Sequence, residues 1–116
     1  MNEITNENNF NIFDGFFAVK FGAKWCQPCK QVDVQLEKLE KEFENVKFLS
    51  LDIDNIPKLA QKYQVKSLPT IILFKNGREV KRIVGKPLLD SLRKTIRETY
   101  ATDRFSYHDE LRVANI

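Results

Sequence analysis

The chain has 116 residues, 42% hydrophobic and 30% charged, with a formal net charge of +3. That length makes one domain, able to bury a core without disulfide staples or a structural metal. Basic and acidic residues interleave, as in Glu37-Lys38-Leu39-Glu40-Lys41-Glu42, which describes a solvated face and not the one-sided basic stripe of a nucleic-acid binder.

Met1 to Asn9 is polar and acidic. It has no apolar stretch of the secretory type, so a cytoplasmic location is expected. No apolar run approaches the roughly 18 residues of a membrane span, so no membrane association is expected. Ile4 suggests a short strand and Asn8 to Phe13 a short helix. Phe16 to Gly22 is an apolar run that reads as a buried strand. From about Cys26 to Phe43 the period becomes helical, with Val32, Leu36, Leu39 and Phe43 forming one stripe and Asn45 as the stop.

Val46 to Leu51 reads as a second strand. Asp52-Ile53-Asp54-Asn55 is polar punctuation. A short helix follows over about Ile56 to Tyr63, with Pro57 tolerated in its first turn. Leu68-Pro69 breaks the chain, and Thr70 to Phe74 is a β-branched strand. Asn76-Gly77 signals a tight hairpin into a returning strand, Arg78 to Val84. A last helix runs past Gly85 and Pro87 to about Tyr100, with Leu89, Leu92, Ile96 and Tyr100 as its stripe. Helical crossovers imply parallel pairing and the hairpin implies antiparallel pairing. The expected fold is therefore α/β, a central mixed sheet with helices on both faces. Residues 1–100 form the domain, and 101–116 are a C-terminal extension read as a frayed tail.

Two cysteines are present, Cys26 and Cys29, spaced Cys-x-x-Cys. A structural zinc site usually asks for four N or S donors. The chain adds only the distant His108, so no metal is expected. Within a βαβ pattern the spacing indicates a redox pair. Cys26 falls where a strand ends and a helix begins. There, unpaired N–H groups and the partial positive charge of the helix favour a thiolate. Cys29 lies one turn deeper, close enough to close a small disulfide ring. Cys26 is thus the expected nucleophile and Cys29 the resolving thiol. Pro28 between them fits only the first helical turn. Trp25 offers a flat apolar surface beside the nucleophile.

Ala23-Lys24-Trp25-Cys26-Gln27-Pro28-Cys29-Lys30 resembles the active-site segment of the thioredoxin family. Ser67-Leu68-Pro69-Thr70 resembles the family's loop with a cis proline facing the cysteines. Phe74-Lys75-Asn76-Gly77 resembles its hairpin, and Val84-Gly85 the glycine lining its substrate groove. The resemblance covers about Ile12 to Tyr100. It implies the thioredoxin fold, reduction of protein disulfides, and electrons supplied by a thioredoxin reductase. It also implies substrate docking at Trp25, Leu68, Pro69 and Gly85. No cofactor beyond the Cys26–Cys29 disulfide is expected, and a monomer is expected.

Four residues depart from the family pattern, one of them Val34, which stands where many members have a mid-helix Pro. Gln27 stands where Gly is usual. Lys20 stands where a buried Asp is usual, and Ser50 where that Asp's Lys partner falls. A lone buried lysine is costly. Asp33, four residues after Cys29, shares a helix face with that thiol. A swapped pair is expected, Asp33 on the helix meeting Lys20 on the strand, with Asp33 available as proton acceptor for Cys29. Gln27, Pro28, Lys20 and Asp33 are thus the redox-tuning candidates. Two alternatives stay open: a disulfide isomerase or oxidase on the same framework, and a non-enzymatic binding subunit.

Overall fold

The computed structural model describes residues 1–7 and 14–114, excepting the side chains of 102–114. The short helix expected over Asn8 to Phe13 lies outside the described residues. The elements in chain order are β1 (Asn2–Ile4), β2 (Phe16–Gly22), α1 (Gln27–Glu42), β3 (Val46–Asp52), α2 (Pro57–Lys62), β4 (Thr70–Lys75), β5 (Arg78–Val84) and α3 (Leu89–Ala114). The strands form one sheet in the order β1-β3-β2-β4-β5. β3 runs parallel to both β1 and β2, whereas β4 is antiparallel to both β2 and β5.

Alternation along β2 divides the core in two. Phe17, Val19 and Phe21 join Leu59 and Ala60 of α2 on one face. Ala18 joins Val32, Leu36 and Leu39 of α1 and Leu92, Ile96 and Tyr100 of α3 on the other. Each Val, Leu, Ile or Phe side chain among these, when fully buried, contributes about 1.5–3 kcal/mol. Covering both faces is what lets β2 and β4 be apolar at almost every position. β5, at the edge, is mostly exposed and carries Arg78, Glu79, Lys81 and Arg82, a composition that discourages pairing with a further strand.

The turns follow from local chemistry. Asn76 and Gly77 both adopt positive φ, 52° and 85°, as a two-residue hairpin turn of the primed type requires. Asn76 Oδ1 accepts from Gly15 N at 2.9 Å, fixing the hairpin tip to the approach of β2. Gln64 also has positive φ, just past α2. Arg82 donates to the carbonyls of Tyr63 and Gln64 at 2.6 and 3.3 Å, satisfying acceptors that the helix end leaves free.

The last helix continues to Ala114 instead of ending near Tyr100. The reason is visible in the chain: no glycine or proline occurs from Leu89 to Ala114, so nothing interrupts the backbone hydrogen bonds. Within it, Tyr100 is buried, and its hydroxyl lies 2.8 Å from Phe17 O, to which it donates, and 3.2 Å from Phe74 O. It thereby links α3 to the two central strands.

Burial pushes the Tyr100 phenol up from 10.0. The folded state therefore holds this proton more tightly than the unfolded chain does. Its contribution is complete below pH 10.0 and is lost as pH rises beyond that value. Tyr100→Phe should lower stability by about 1–2 kcal/mol in urea unfolding at neutral pH. It should also flatten the loss of stability above pH 10.0. An alkaline limb as steep as the parent's would assign that loss to another group.

Candidate active site

β2 ends at Gly22 and α1 begins five residues later, at Gln27. Cys26 is the N-cap of α1, and its Sγ accepts from Cys29 N at 3.3 Å. The sulfur thus occupies the place of an ordinary capping oxygen and faces the free N–H groups of the first turn. Cys26 and Cys29 form a disulfide with Cα atoms 5.3 Å apart. Cys26 retains 5% exposure and Cys29 1%, so Cys26 is the more accessible sulfur-bearing residue. Gln27 and Pro28 are exposed in the first turn, where the missing N–H of proline breaks no helical bond.

The sheet register brings the distant segments to the same end. Phe21 pairs with Thr70, and Thr70 with Val84. Gly22, Pro69 and Gly85 therefore follow one another at the edge where the helix begins. The Leu68–Pro69 peptide is cis, and Gly85 N donates to Pro69 O at 2.8 Å. Gly85 has φ +86°, and open space lies where a side chain would project. Leu68 packs directly against the cluster of Ala23, Cys26 and Cys29. Trp25 is 68% exposed, a large apolar surface left uncovered beside the disulfide. Its Nε1 donates to Asp54 Oδ2 at 2.9 Å, and Asp54 N donates to Asp52 Oδ1.

Behind the disulfide, Lys20 is buried. Its Nζ lies 2.5 Å from Asp33 Oδ1 of α1. Asp33 Oδ1 has this charge contact and no hydrogen bond among the described residues. Ser50 is the register partner of Lys20 on β3. Lys20, Asp33, Ser50 and Cys29 line one cavity of about 370 Å³. A Cβ on Gly22 would meet Cys29 Sγ, Lys20 Cε and Lys20 Nζ, each at 3.1 Å.

Gly22 and Asp54 carry weight that sequence reasoning missed. A glycine closing an apolar strand beside two cysteines is the signal for close approach. The Asp52-x-Asp54 spacing is that of an aspartate bonding the backbone two residues on. Among the described residues no group of three His, Cys, Asp or Glu side chains could hold a metal ion. The His108 side chain lies outside the described ones.

The family model for thioredoxin matches residues 3–98. The chain belongs to the thioredoxin family. A thioredoxin of Chlamydia trachomatis serovar D is 44% identical over 98 residues, covering 83% of this chain and 96% of that protein. A thioredoxin of Chlamydia muridarum is 46% identical over the same shares of the two chains. Among solved structures, oxidised mitochondrial thioredoxin 3 of Saccharomyces cerevisiae superposes with TM-score 0.77 at 30% identity, covering 84% of this chain and 94% of that one. Thioredoxin of Trypanosoma brucei brucei gives 0.78 at 28% identity, over 85% and 89%. With its Cys26–Cys29 disulfide, this thioredoxin-family chain is a thiol–disulfide oxidoreductase, a protein-disulfide reductase.

The single tryptophan makes the Trp25–Asp54 bond measurable. Asp54→Ala should lower the steady-state fluorescence anisotropy of Trp25, because the ring loses the polar contact at its edge. Unchanged anisotropy would mean that apolar packing alone orients the ring.

Proposed function

We propose that Cys26 is the attacking thiolate and Cys29 the resolving thiol in the reduction of protein disulfides. The observation that carries this is the capping geometry: Cys26 Sγ faces the α1 terminus and is the less buried of the pair. Reduced Cys26 attacks a substrate disulfide, forming a mixed disulfide and releasing one substrate thiolate. Cys29 then attacks Cys26 Sγ, closing the intramolecular disulfide and releasing the second substrate sulfur. Two electrons pass to the substrate.

Trp25, Leu68, Pro69 and Gly85 form the docking surface. An apolar face beside the nucleophile and a backbone edge at Pro69 and Gly85 suit an extended peptide. Gln27, Pro28, Lys20 and Asp33 tune the pair. Thioredoxin reductase is the electron donor and the disulfide itself the only redox group. Residues 1–100 carry the activity as a monomer in the cytoplasm, with 101–116 as an extension.

Cys26→Ser should abolish disulfide reduction. Cys29→Ser should accumulate a mixed disulfide visible as a mass adduct on Cys26. An adduct that fails to form in Cys29→Ser, or activity surviving in Cys26→Ser, would overturn the assignment. The equilibrium potential of the pair should fall near or below the cytosolic glutathione poise, roughly −220 to −320 mV. A value toward about −180 to −120 mV would favour an oxidase or isomerase.

A further inference from the structure

Lys20 places a buried cation beside the resolving sulfur. Both Lys20 Nζ and Cys29 Sγ lie 3.1 Å from one point, the position of an absent Gly22 Cβ. The two atoms are therefore no more than about 6 Å apart, a range at which opposite charges interact strongly outside bulk water. Lys20 is buried and Cys29 is 1% exposed, so little solvent screens them. Gly22 has no positive φ that would demand glycine. Its lack of a side chain instead leaves the room that Lys20 and Cys29 share.

We propose that Lys20 is a positioning residue for the second half of the exchange, its ammonium stabilising the Cys29 thiolate, and that Asp33, its counter-charge, moderates the effect. This rests on Cys29 being the resolving thiol. In that step Cys29 gives its proton to solvent and its thiolate bonds to Cys26 Sγ. The Cys26–substrate bond breaks, and the electron pair leaves on the substrate sulfur, which takes up a proton. The rate rises with the fraction of Cys29 present as thiolate, offset in part by the weaker nucleophilicity of a less basic thiolate.

The charges lining the cavity do not all act in one direction. Glu3 of β1, Asp33 of α1 and Asp52 of β3 oppose a thiolate, whereas Lys24 and Lys30 favour one from exposed positions. Asp52 Oδ1 is engaged by the backbone N–H of Asp54. Asp33 is engaged by Lys20 itself. Lys20 is the one cation among the described residues that is both buried and fixed against the space occupied by Sγ. Lys20 therefore acts on Cys29 in favour of the thiolate, while Asp33 and, in the reduced protein, the Cys26 thiolate act against it.

The test is a pH titration of the Cys29 ¹³Cβ resonance in the reduced full chain, for the parent, Lys20→Met and Asp33→Asn. Removing the cation in Lys20→Met should move the Cys29 curve up by about one pH unit, a tenfold loss of thiolate at a given pH. Release of a preformed mixed disulfide near neutral pH should slow by about threefold, because the more basic thiolate that remains is the better nucleophile. Asp33→Asn frees Lys20 from its counter-charge and should move the curve down. Opposite shifts in the two variants support the proposal. No shift, or a shift in the reverse sense in either, overturns it. Should Lys20→Met fail to fold, Lys20→Gln, which removes the charge and keeps a polar end for Asp33, takes its place with the same upward shift expected. The titration is independent of turnover. Variants that gave these shifts while Cys29→Ser trapped no mixed disulfide would refute the resolving role and leave the electrostatic assignment standing.

Discussion

Strand β2 is covered on both faces, and the rest of the molecule is arranged around that fact. A strand with solvent on neither side must carry apolar residues at every position or compensate for each exception. Phe17, Val19 and Phe21 meet α2, and Ala18 meets α1 and α3. Lys20 is the exception. Its burial is compensated by Asp33, which stands on α1 directly over the same face and remains partly exposed. A pair with one member reaching solvent avoids much of the desolvation that a fully buried pair suffers. Charge and packing thus meet at one residue of one strand, beside the disulfide.

The end of β2 does the rest. Gly22 stops the strand, and Cys26 starts a helix whose axis points its positive end at the sulfur. Because β4 is antiparallel to β2, the start of β4 and the end of β5 arrive at the same edge. Pro69 and Gly85 reach the site through this register, although they lie 40 or more residues from Cys29 in the chain. The Pro69–Gly85 edge and Cys26 are therefore placed together by one hydrogen-bonding pattern. Substitutions that shift the β2–β4 register would move both together.

Outside the site, the helices are held by means that leave the redox pair untouched. Arg93 of α3 forms a two-nitrogen contact with Glu42 of α1, at 2.8 and 3.0 Å. The Arg93 guanidinium beside Glu42 holds that carboxyl below its ordinary value. This pair is exposed and contributes little to stability. Tyr100 does more, because its hydroxyl is buried and engages backbone of the central strands.

The sequence alone determined the element order, the mixed sheet, the Asn76-Gly77 turn and the redox pair, because each rests on a local period or a short spacing. Helical and extended periodicity over Val32 to Leu39 and Thr70 to Phe74 leaves little choice of element, and Cys-x-x-Cys at a strand–helix junction is itself a chemical statement. Even the Lys20–Asp33 contact could be anticipated, since alternation gave one face and helical spacing the other. The extent of α3 was misjudged because an amphipathic stripe marks where a helix is covered, not where its backbone stops. Other features belong only to the tertiary structure. The shared space above Gly22, the Trp25–Asp54 bond and the cavity behind Cys29 depend on distances between side chains from different elements. No pattern along the chain encodes those distances; they are set by sheet register and by how closely α1 packs on β2.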